Sequence, residues 1–230
     1  MRDEFLVTGG GDGAAVVLLP GWATDGRVFD GLFHGVAAVT TGPLRPEGFP
    51  RRLAAFLDRS GVRAPVTVVG WSLGGFLAAE FAREFPERVE RAVLAGVRKA
   101  YPAEEVAAVR EELLRDRAAC LSGFYARCFF PSRTASFRRF REGLQKEYLR
   151  DMDEGTLLEG LSFLAAARLS AGSLPPCPVA IVHGEKDVVA PVAEAEALAR
   201  ESGRASFHLL PGAAHAVIFA EGFRAVAADA

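Results

Sequence analysis

A serine between two glycines, where a predicted strand meets a predicted helix, constrains this chain more than any other stretch. The β-branched run 65–69 leads into Gly70-Trp71-Ser72-Leu73-Gly74, and 76–82 is typical of a helix. A serine at such a sharp turn has a strained backbone, so the residues two before and two after it must be small. We predict that Ser72 is a nucleophile with its Oγ exposed at the carboxyl edge of a sheet, above a helix N-terminus that favours negative charge. The alternative is an ordinary glycine-rich turn.

Size and charge narrow the class of protein. The chain has 230 residues, enough for one α/β domain with an insertion, and its net charge is −2. So small a net charge gives no global field that points to nucleic acid or a membrane, and we expect neither as a partner. A monomer is expected.

The compartment is inferred from cysteines and apolar runs. Three cysteines, Cys120, Cys128 and Cys177, are an odd number that argues against a disulfide framework, and we interpret them as small buried hydrophobes. No long apolar segment follows the N-terminal Met-Arg-Asp-Glu, and the longest apolar run, 14–19, is too short to span a bilayer. We therefore expect a cytoplasmic protein.

Strand-like and helix-like segments alternate along most of the chain. The predicted strands are 5–8, 14–19, 36–40, 65–71, 89–97, 179–182 and 205–210, with a hairpin-like turn at 9–13. The predicted helices between and after them are 27–33, 51–60, the helix after Ser72, 191–201 and 216–228. This alternation predicts an α/β fold with a mainly parallel sheet and helices on both faces.

The alternation is interrupted once. From 101 to 170 no convincing strand is found, and apolar residues recur at near-helical spacing, whereas Pro175-Pro176-Cys177-Pro178 precedes the return to a strand. We predict a core formed by residues 1–100 and 175–230, and a helical lid, residues 101–174, inserted in it.

Two more residues complete a catalytic set by position. Asp187 follows the strand 179–182 and His215 follows the strand 205–210, so both belong at the sheet edge that carries Ser72. A serine needs an imidazole to remove its proton and a carboxylate to orient that imidazole. Ser72, Asp187 and His215 have the Ser, Asp, His order of such triads. Glu185 is a rival carboxylate, and His34, His183 and His208 fit the base less well.

An oxyanion needs backbone donors as well. We predict the N–H of Leu73, directly after the nucleophile, and the N–H of Trp22, in the loop after the strand that ends at Leu19. The role of the Trp22 side chain is left open between function and core packing.

Four segments carry a resemblance to a known family. They are Leu18-Leu19-Pro20-Gly21-Trp22, Gly70-Trp71-Ser72-Leu73-Gly74-Gly75, Glu84-Phe85-Pro86-Glu87-Arg88-Val89 and Ala213-Ala214-His215-Ala216. Together they resemble the α/β-hydrolase superfamily, and most closely the BioH-type carboxylesterases of biotin synthesis. The resemblance implies cleavage of the methyl ester of pimeloyl carried on acyl carrier protein, with Ser72, Asp187 and His215 as triad and Trp22 and Leu73 as oxyanion donors.

The chain differs from the family pattern at two places. Pro20 stands where these enzymes usually have His before Gly, which bears on the support of the loop that carries the oxyanion donor Trp22. The segment Thr40–Pro46 replaces the usual Asp-x-x-Gly-x-Gly-x-Ser loop, which bears on substrate fit.

The insertion gives independent evidence on the substrate. Residues 127–150 contain seven basic and two acidic residues, a net charge of +5 that leaves −7 for the rest of the chain. Acyl carrier proteins are acidic and carry a phosphodiester, so basic side chains here could bind them. The candidate contacts are Arg133, Arg138, Arg139 and Arg141, with Phe124 and Phe130 as candidate acyl-pocket residues. The alternatives are a solvated helix face for the arginines and core packing for the aromatic residues.

The sequence thus predicts a serine carboxylic-ester hydrolase that acts through an acyl-enzyme on a small or carrier-bound ester. No metal or organic cofactor is implied. The alternatives are a general carboxylesterase or lactonase, a carbon–carbon hydrolase or lyase with the same triad, and a non-catalytic ligand receptor.

Overall fold

A seven-stranded sheet forms the centre of the fold. The computed structural model describes residues 4–9, 15–33, 36–62, 65–131 and 135–229. The strands are β1 (Phe5–Thr8), β2 (Val16–Leu19), β3 (Ala38–Thr41), β4 (Val66–Trp71), β5 (Val89–Ala95), β6 (Val179–Gly184) and β7 (Ala205–Leu210). Their spatial order is β1-β3-β2-β4-β5-β6-β7, and only β1 runs antiparallel to its neighbour.

The register of the sheet aligns the carboxyl ends of its central strands. Leu19 of β2 pairs with Gly70 of β4, and Ala95 of β5 pairs with both Trp71 and Val182. These strands are continuous apolar runs because both of their faces are covered. The segments that follow β2, β4, β6 and β7 therefore leave the sheet at one edge.

Nine helices are described. They are α1 (Phe49–Arg59), α2 (Leu73–Glu84), α3 (Ala103–Arg115), α4 (Arg117–Phe129), α5 (Ala135–Glu142), α6 (Leu144–Asp151), α7 (Glu154–Ala166), α8 (Val192–Ser202) and α9 (Phe223–Asp229). Short 3-10 turns lie at Gly26–Phe29, Pro86–Arg88, Ala171–Ser173 and Val217–Phe219. The predicted α/β architecture is confirmed.

The segment between β5 and β6 contains five of these helices, α3 to α7. The five helices span 103–166, within the predicted helical stretch 101–170, and in the described part of the segment the one β contact is an isolated bridge between Ala100 and Arg168. Asp116 and Asp153 cap α4 and α7 by accepting from backbone N–H groups in the first turn. We call α3 to α7 the inserted helices; their division from the core as a lid stays a prediction.

Two local predictions are wrong. The predicted helix 216–228 is a 3-10 turn followed by the separate helix α9, because Gly222 between them has φ of 89°. The predicted helix 27–33 is only the 3-10 turn at Gly26–Phe29, and the chain turns at Gly31 with φ of 77°.

The predicted edge strand 5–8 is confirmed as β1, at one edge of the sheet. The predicted hairpin-like turn falls mostly on residues 10–13, outside the described residues. The strands that flank it are not neighbours, since β1 pairs with β3 and not with β2.

The expectations for the cysteines and for membrane-spanning segments can also be compared with the structure. Cys120 and Cys128 are buried free thiols, and Cys177 is a half-buried one. Within the described ranges, every helix is too short or too polar to reach across a lipid bilayer.

Candidate active site

The turn between β4 and α2 has the strained geometry that the glycines predict. Ser72 has φ of 54° and ψ of −116°, a conformation that costs an L-residue on the order of 1–3 kcal/mol. A Cβ on Gly70 would lie 2.2 Å from the carbonyl oxygen of Gly74, and a Cβ on Gly74 would lie 2.2 Å from that of Leu19. The requirement for small residues at both positions is confirmed.

The expectation that Ser72 is exposed is wrong. Only 3% of the residue is accessible, and side chains of α3, α4 and α7 line the space beside it. Ser72 instead opens onto a cavity of about 320 Å³. The cavity is lined by Trp22, Ser72, Tyr101, Glu105, Val106, Ala108, Val109, Glu112, Phe124, Arg127, Leu161, Leu164, Val188 and Val189.

The structure brings Ser72, His215 and Asp187 into one hydrogen-bonded series. His215 Nε2 lies 3.1 Å from Ser72 Oγ, and His215 Nδ1 lies 2.8 Å from Asp187 Oδ2. Nδ1 faces a carboxylate and so carries the proton, which leaves Nε2 free to accept the proton of Ser72. The set can therefore move a proton from the serine to the imidazole.

Close backbone packing holds His215 in this position. Trp71 Nε1 donates to the carbonyl oxygen of His215 at 2.8 Å, directly from the strand that carries the serine. A Cβ on Gly184 would lie 2.3 Å from the carbonyl oxygen of Ala214, so the loop before His215 needs a glycine at the end of β6. Both contacts connect the last loop to the central strands.

Asp187, and not its rival Glu185, contacts the histidine. The other oxygen of Asp187, Oδ1, accepts from the N–H groups of Val189 and Ala190, each at 2.8 Å. Burial by itself raises the pKa of Asp187, but the neighbouring His215 and His183 outweigh this effect and hold the pKa below its usual value. Glu185 is exposed and accepts from the N–H of Gly212 at 2.8 Å.

The other described histidines are His183, which contacts Asp187, and His208, which lies apart from it. His183 Nε2 donates to the carbonyl oxygen of Ala190 at 2.9 Å and lies 3.3 Å from Asp187 Oδ2. His208 is within β7 and contacts Ser206, and His34 falls outside the described residues. Of the two that the structure describes, only His183 contacts a member of the series.

We expect His183 to make the fold sensitive to mild acid. It is fully buried, and this burial lowers its pKa below the ordinary value of 6.5. Below pH 6.5 the unfolded chain binds a proton at this residue that the folded protein does not, so stability falls as the pH falls. The loss should approach about 1.4 kcal/mol per pH unit until the folded pKa is reached. Urea unfolding at pH 7.5, 6.5 and 5.5 measures it.

The matched variant for this measurement is His183→Gln, whose amide can also donate to the Ala190 carbonyl. Above pH 6.5 the difference in the free energy of unfolding between the two proteins should be constant. Below pH 6.5 the wild type should lose stability faster than the variant. Parallel curves over the whole range would show that His183 is not the source. Asp187 does not interfere with this measurement. Its pKa is lowered in the folded protein, so it reduces the stability of the protein only when the pH falls below the ordinary pKa of a carboxyl group.

The two predicted oxyanion donors lie on adjoining segments. Leu73 is the first residue of α2, and Trp22 follows the Leu19-Pro20 segment that Gly74 allows to approach. Within the described residues neither backbone N–H donates to a protein acceptor. Two backbone donors beside a buried nucleophile can bind a developing oxyanion.

The side chain of Trp22 packs against the inserted helices. Its Nε1 donates to the carbonyl oxygen of Leu157 in α7 at 2.9 Å, and its ring meets Phe124 of α4 edge-on at 4.8 Å. The indole therefore connects the loop after β2 to the inserted helices. The sequence left the role of this side chain open between function and core packing, and in the structure the side chain packs.

Tyr101 was missed by the sequence analysis. Its hydroxyl lies 3.4 Å from Ser72 Oγ, and burial raises the pKa of the phenol above its usual value, so it remains a protonated donor. The guanidinium of Arg98 lies 5.1 Å above the ring. The one available signal was its position shortly after the carboxyl end of β5, at the edge that carries the other site residues.

The predicted substrate contacts are dispersed. Phe124 lines the cavity, whereas Phe130 does not and is 59% exposed. Arg138, Arg139 and Arg141 are exposed on α5, away from the cavity lining. Arg133 lies outside the described residues.

The described part of the chain contains no group of three or more His, Cys, Asp or Glu side chains placed to hold a metal ion.

Comparison with known proteins gives one family. The model of the alpha/beta hydrolase family matches residues 16–229. A pimeloyl-[acyl-carrier protein] methyl ester esterase of Nitrosomonas europaea is 30% identical, over 90% of this chain and 90% of the relative. An esterase of the same name from Chromobacterium violaceum is 28% identical, over 90% and 89%.

Solved structures agree on the fold. A hydrolase from Pseudomonas aeruginosa superposes with a TM-score of 0.82 at 19% identity, over 98% of this chain and 94% of the other. The enol-lactonase of Burkholderia xenovorans gives 0.81 at 19% identity, over the same shares. The family model covers nearly the whole chain, and the chain belongs to the alpha/beta hydrolase family.

Proposed function

We propose that this chain is an ester hydrolase that acts through an acyl-enzyme on Ser72. Ser72 Oγ attacks the ester carbonyl while His215 Nε2 takes its proton, and the N–H groups of Leu73 and Trp22 bind the oxyanion. The carbon–oxygen bond to the alcohol then breaks, and His215 returns the proton to the departing alcohol. Water repeats the sequence on the acyl-enzyme and releases the acid. The observation that carries this proposal is the series from Asp187 Oδ2 to Ser72 Oγ, with steps of 2.8 and 3.1 Å.

Tyr101 has a part in the same proposal. The serine hydroxyl has one proton, and that proton must point at His215 Nε2 for transfer. A donor on the other side of Oγ occupies an oxygen lone pair and leaves the proton for the histidine. The neutral phenol of Tyr101, 3.4 Å from Oγ, is such a donor.

The substrate we propose is a medium-chain acyl methyl ester carried on an acidic carrier protein. The relatives named as pimeloyl-[acyl-carrier protein] methyl ester esterases support the carrier-bound substrate. The cavity above Ser72 is mostly apolar, and its volume of about 320 Å³ is within the range of small-ligand sites. An apolar cavity of this size suits an acyl chain.

Three arginines on α5 support the carrier protein as the partner. Arg138, Arg139 and Arg141 are exposed, and none of them forms an ion pair with a described residue. By contrast, two other charges of the basic segment are paired: Glu147 with Arg27, and Arg150 with Asp151. Arg141 lies over the ring of Phe137, and a guanidinium group outside an ion pair can bind phosphate or carboxylate groups of a partner.

The test of the proposed function is methanol release from pimeloyl methyl ester on acyl carrier protein, beside hydrolysis of a short p-nitrophenyl ester. Release that needs Ser72 supports the carrier-bound substrate. Hydrolysis of the small ester alone would reduce the function to a general carboxylesterase or lactonase. Retention of an ester without turnover would favour a ligand receptor.

We expect charge reversal on α5 to act on the carrier substrate alone. Replacing Arg138, Arg139 and Arg141 by Glu should lower kcat/KM for the carrier ester about 10- to 100-fold at low salt, because complementary charge speeds encounter. The effect should shrink above about 0.3 M salt, where surface charges are screened. Hydrolysis of the small ester should change less than about twofold. Steady-state kinetics on both substrates measure the two values.

The matched control reverses three exposed arginines on helices of the core, Arg59, Arg200 and Arg224, for the same change in net charge. This variant should keep more of its activity on the carrier ester than the α5 variant. Equal losses in the two variants, or equal losses on the two substrates, would remove α5 as the docking site.

A further inference from the structure

The loop that carries Trp22 is held from the side of the inserted helices by two tyrosine hydroxyls. We call residues 21–27 the oxyanion loop. Tyr125 of α4 donates to the carbonyl oxygen of Ala23 at 2.5 Å, and Tyr148 of α6 donates to Asp25 Oδ1 at 2.9 Å. Both tyrosines are almost fully buried, with exposed fractions of 2% and 0%. The hydroxyls therefore contact the two residues that flank Thr24.

Thr24 in turn orients the peptide group that presents the Trp22 N–H. Its Oγ1 donates to the carbonyl oxygen of Gly21 at 2.9 Å, and its backbone N–H reaches the same oxygen at 3.3 Å. The Gly21 carbonyl and the Trp22 N–H belong to one planar trans peptide, so they point in opposite directions. Fixing the carbonyl therefore fixes the direction of the N–H.

The backbone of the loop does not adopt this shape by itself. Ala23 has φ of 60°, in the left-handed region that a residue other than glycine rarely enters. A conformation of this kind persists where surrounding contacts impose it, and the Tyr125 hydroxyl is a direct contact on Ala23 itself.

The two tyrosines are themselves rigidly placed. Their rings lie 6.2 Å apart, and the ring of Phe140 from α5 packs against both, at 5.2 Å from Tyr125 and 6.1 Å from Tyr148. Burial raises the pKa of both phenols above its usual value, so both remain protonated donors. Asp25 also accepts hydrogen bonds from the guanidinium of Arg27, which hold the carboxylate that Tyr148 contacts in place.

We propose that Tyr125 and Tyr148 are positioning residues of the oxyanion hole, which act through Ala23, Asp25 and Thr24 on the direction of the Trp22 N–H. The inserted helices are then part of the catalytic geometry as well as a cover over Ser72. This inference rests on the proposed function, because it takes the Trp22 N–H as an oxyanion donor.

The test compares Tyr125→Phe and Tyr148→Phe with the wild type by kcat, by KM and by the affinity of an alkyl boronic acid. A boronic acid forms a tetrahedral adduct with the serine, and one of its oxygens occupies the oxyanion position. Loss of one oxyanion donor costs about 10²–10³ in turnover, so a misdirected donor should cost about tenfold. We expect kcat to fall and boronic acid binding to weaken by about the same factor, with KM within about twofold.

Two further variants keep the test decisive if a tyrosine variant folds poorly. Thr24→Val removes the hydroxyl at nearly constant shape and should lose kcat like the tyrosine variants, whereas Thr24→Ser should retain it. Ser162→Ala is the control, because it removes a hydrogen-bonding hydroxyl of α7 that does not touch the loop. A lower Tm with unchanged kcat and boronic acid affinity in the tyrosine variants would overturn the inference. Activity that survives in Ser72→Ala would instead overturn the proposed function.

Discussion

Ser72→Ala is expected to lose about 10⁵- to 10⁶-fold in kcat while the fold persists. The nucleophile is lost entirely, and the residual rate comes from whatever binding and oxyanion stabilisation remain. Alanine has the same Cβ as serine, so the strained turn at φ of 54° is no less compatible with it. The variant leaves His215 Nε2 and the Tyr101 hydroxyl without Oγ as partner. We therefore expect the free energy of unfolding of the variant to be about 1–3 kcal/mol lower than that of the wild type.

Two measurements check this result. Ester turnover gives the loss, and the mass of the intact protein after treatment with a phosphonylating reagent shows whether a single adduct forms in the wild type and none in the variant. Ser162→Ala, a serine in an exposed hydrogen bond on α7, should behave as the wild type in both. Undiminished hydrolysis by Ser72→Ala would refute the nucleophile assignment.

The residues that sequence alone identified share a simple property. Ser72 directly follows a predicted strand, and Asp187 and His215 lie in the loops after two others. Parallel strands bring their carboxyl ends to one edge whatever lies between them. Gly70 and Gly74 are required by contacts within the turn itself and the segment beside it. For such residues, position along the chain is enough to predict position in space.

The features that the sequence analysis missed depend on how distant segments pack. Periodicity predicts that 101–170 is helical, but it does not say that these helices bury Ser72 or bring Tyr101 to its hydroxyl. The contacts of Tyr125 and Tyr148 with the loop after β2 span more than a hundred residues, and no local pattern encodes them. Phe130 illustrates the reverse error, because this candidate acyl-pocket residue is exposed and does not line the cavity.

The inserted helices bear on the difference at Pro20, where the family usually has a histidine. This difference concerns the support of the oxyanion loop. In this chain the loop receives hydrogen bonds from the inserted helices, through Tyr125, Tyr148 and the Trp22–Leu157 contact. We therefore expect these contacts to support the loop in place of a histidine before Gly21.

Asp187→Asn is expected to lower kcat about 10⁴-fold. Oδ1 of Asp187 accepts two backbone N–H groups, so asparagine would place its carbonyl oxygen there and turn its NH₂ toward His215. The NH₂ is a donor and would meet the Nδ1–H of the present tautomer. His215 would have to move its proton to Nε2, and it could then no longer accept the proton of Ser72.

The matched variant is Glu185→Gln, two residues earlier in the same loop. Glu185 is exposed, and its carboxylate accepts one hydrogen bond, from the N–H of Gly212, which a glutamine oxygen can also accept. We expect its kcat to change less than about threefold, since a surface hydrogen bond contributes little. The tautomer argument adds a second readout, because imidazole ¹⁵N shifts in Asp187→Asn should show the proton of His215 on Nε2, and on Nδ1 in Glu185→Gln. A larger loss in Glu185→Gln than in Asp187→Asn would move the orienting role to Glu185, in conflict with the 2.8 Å contact between Asp187 and His215.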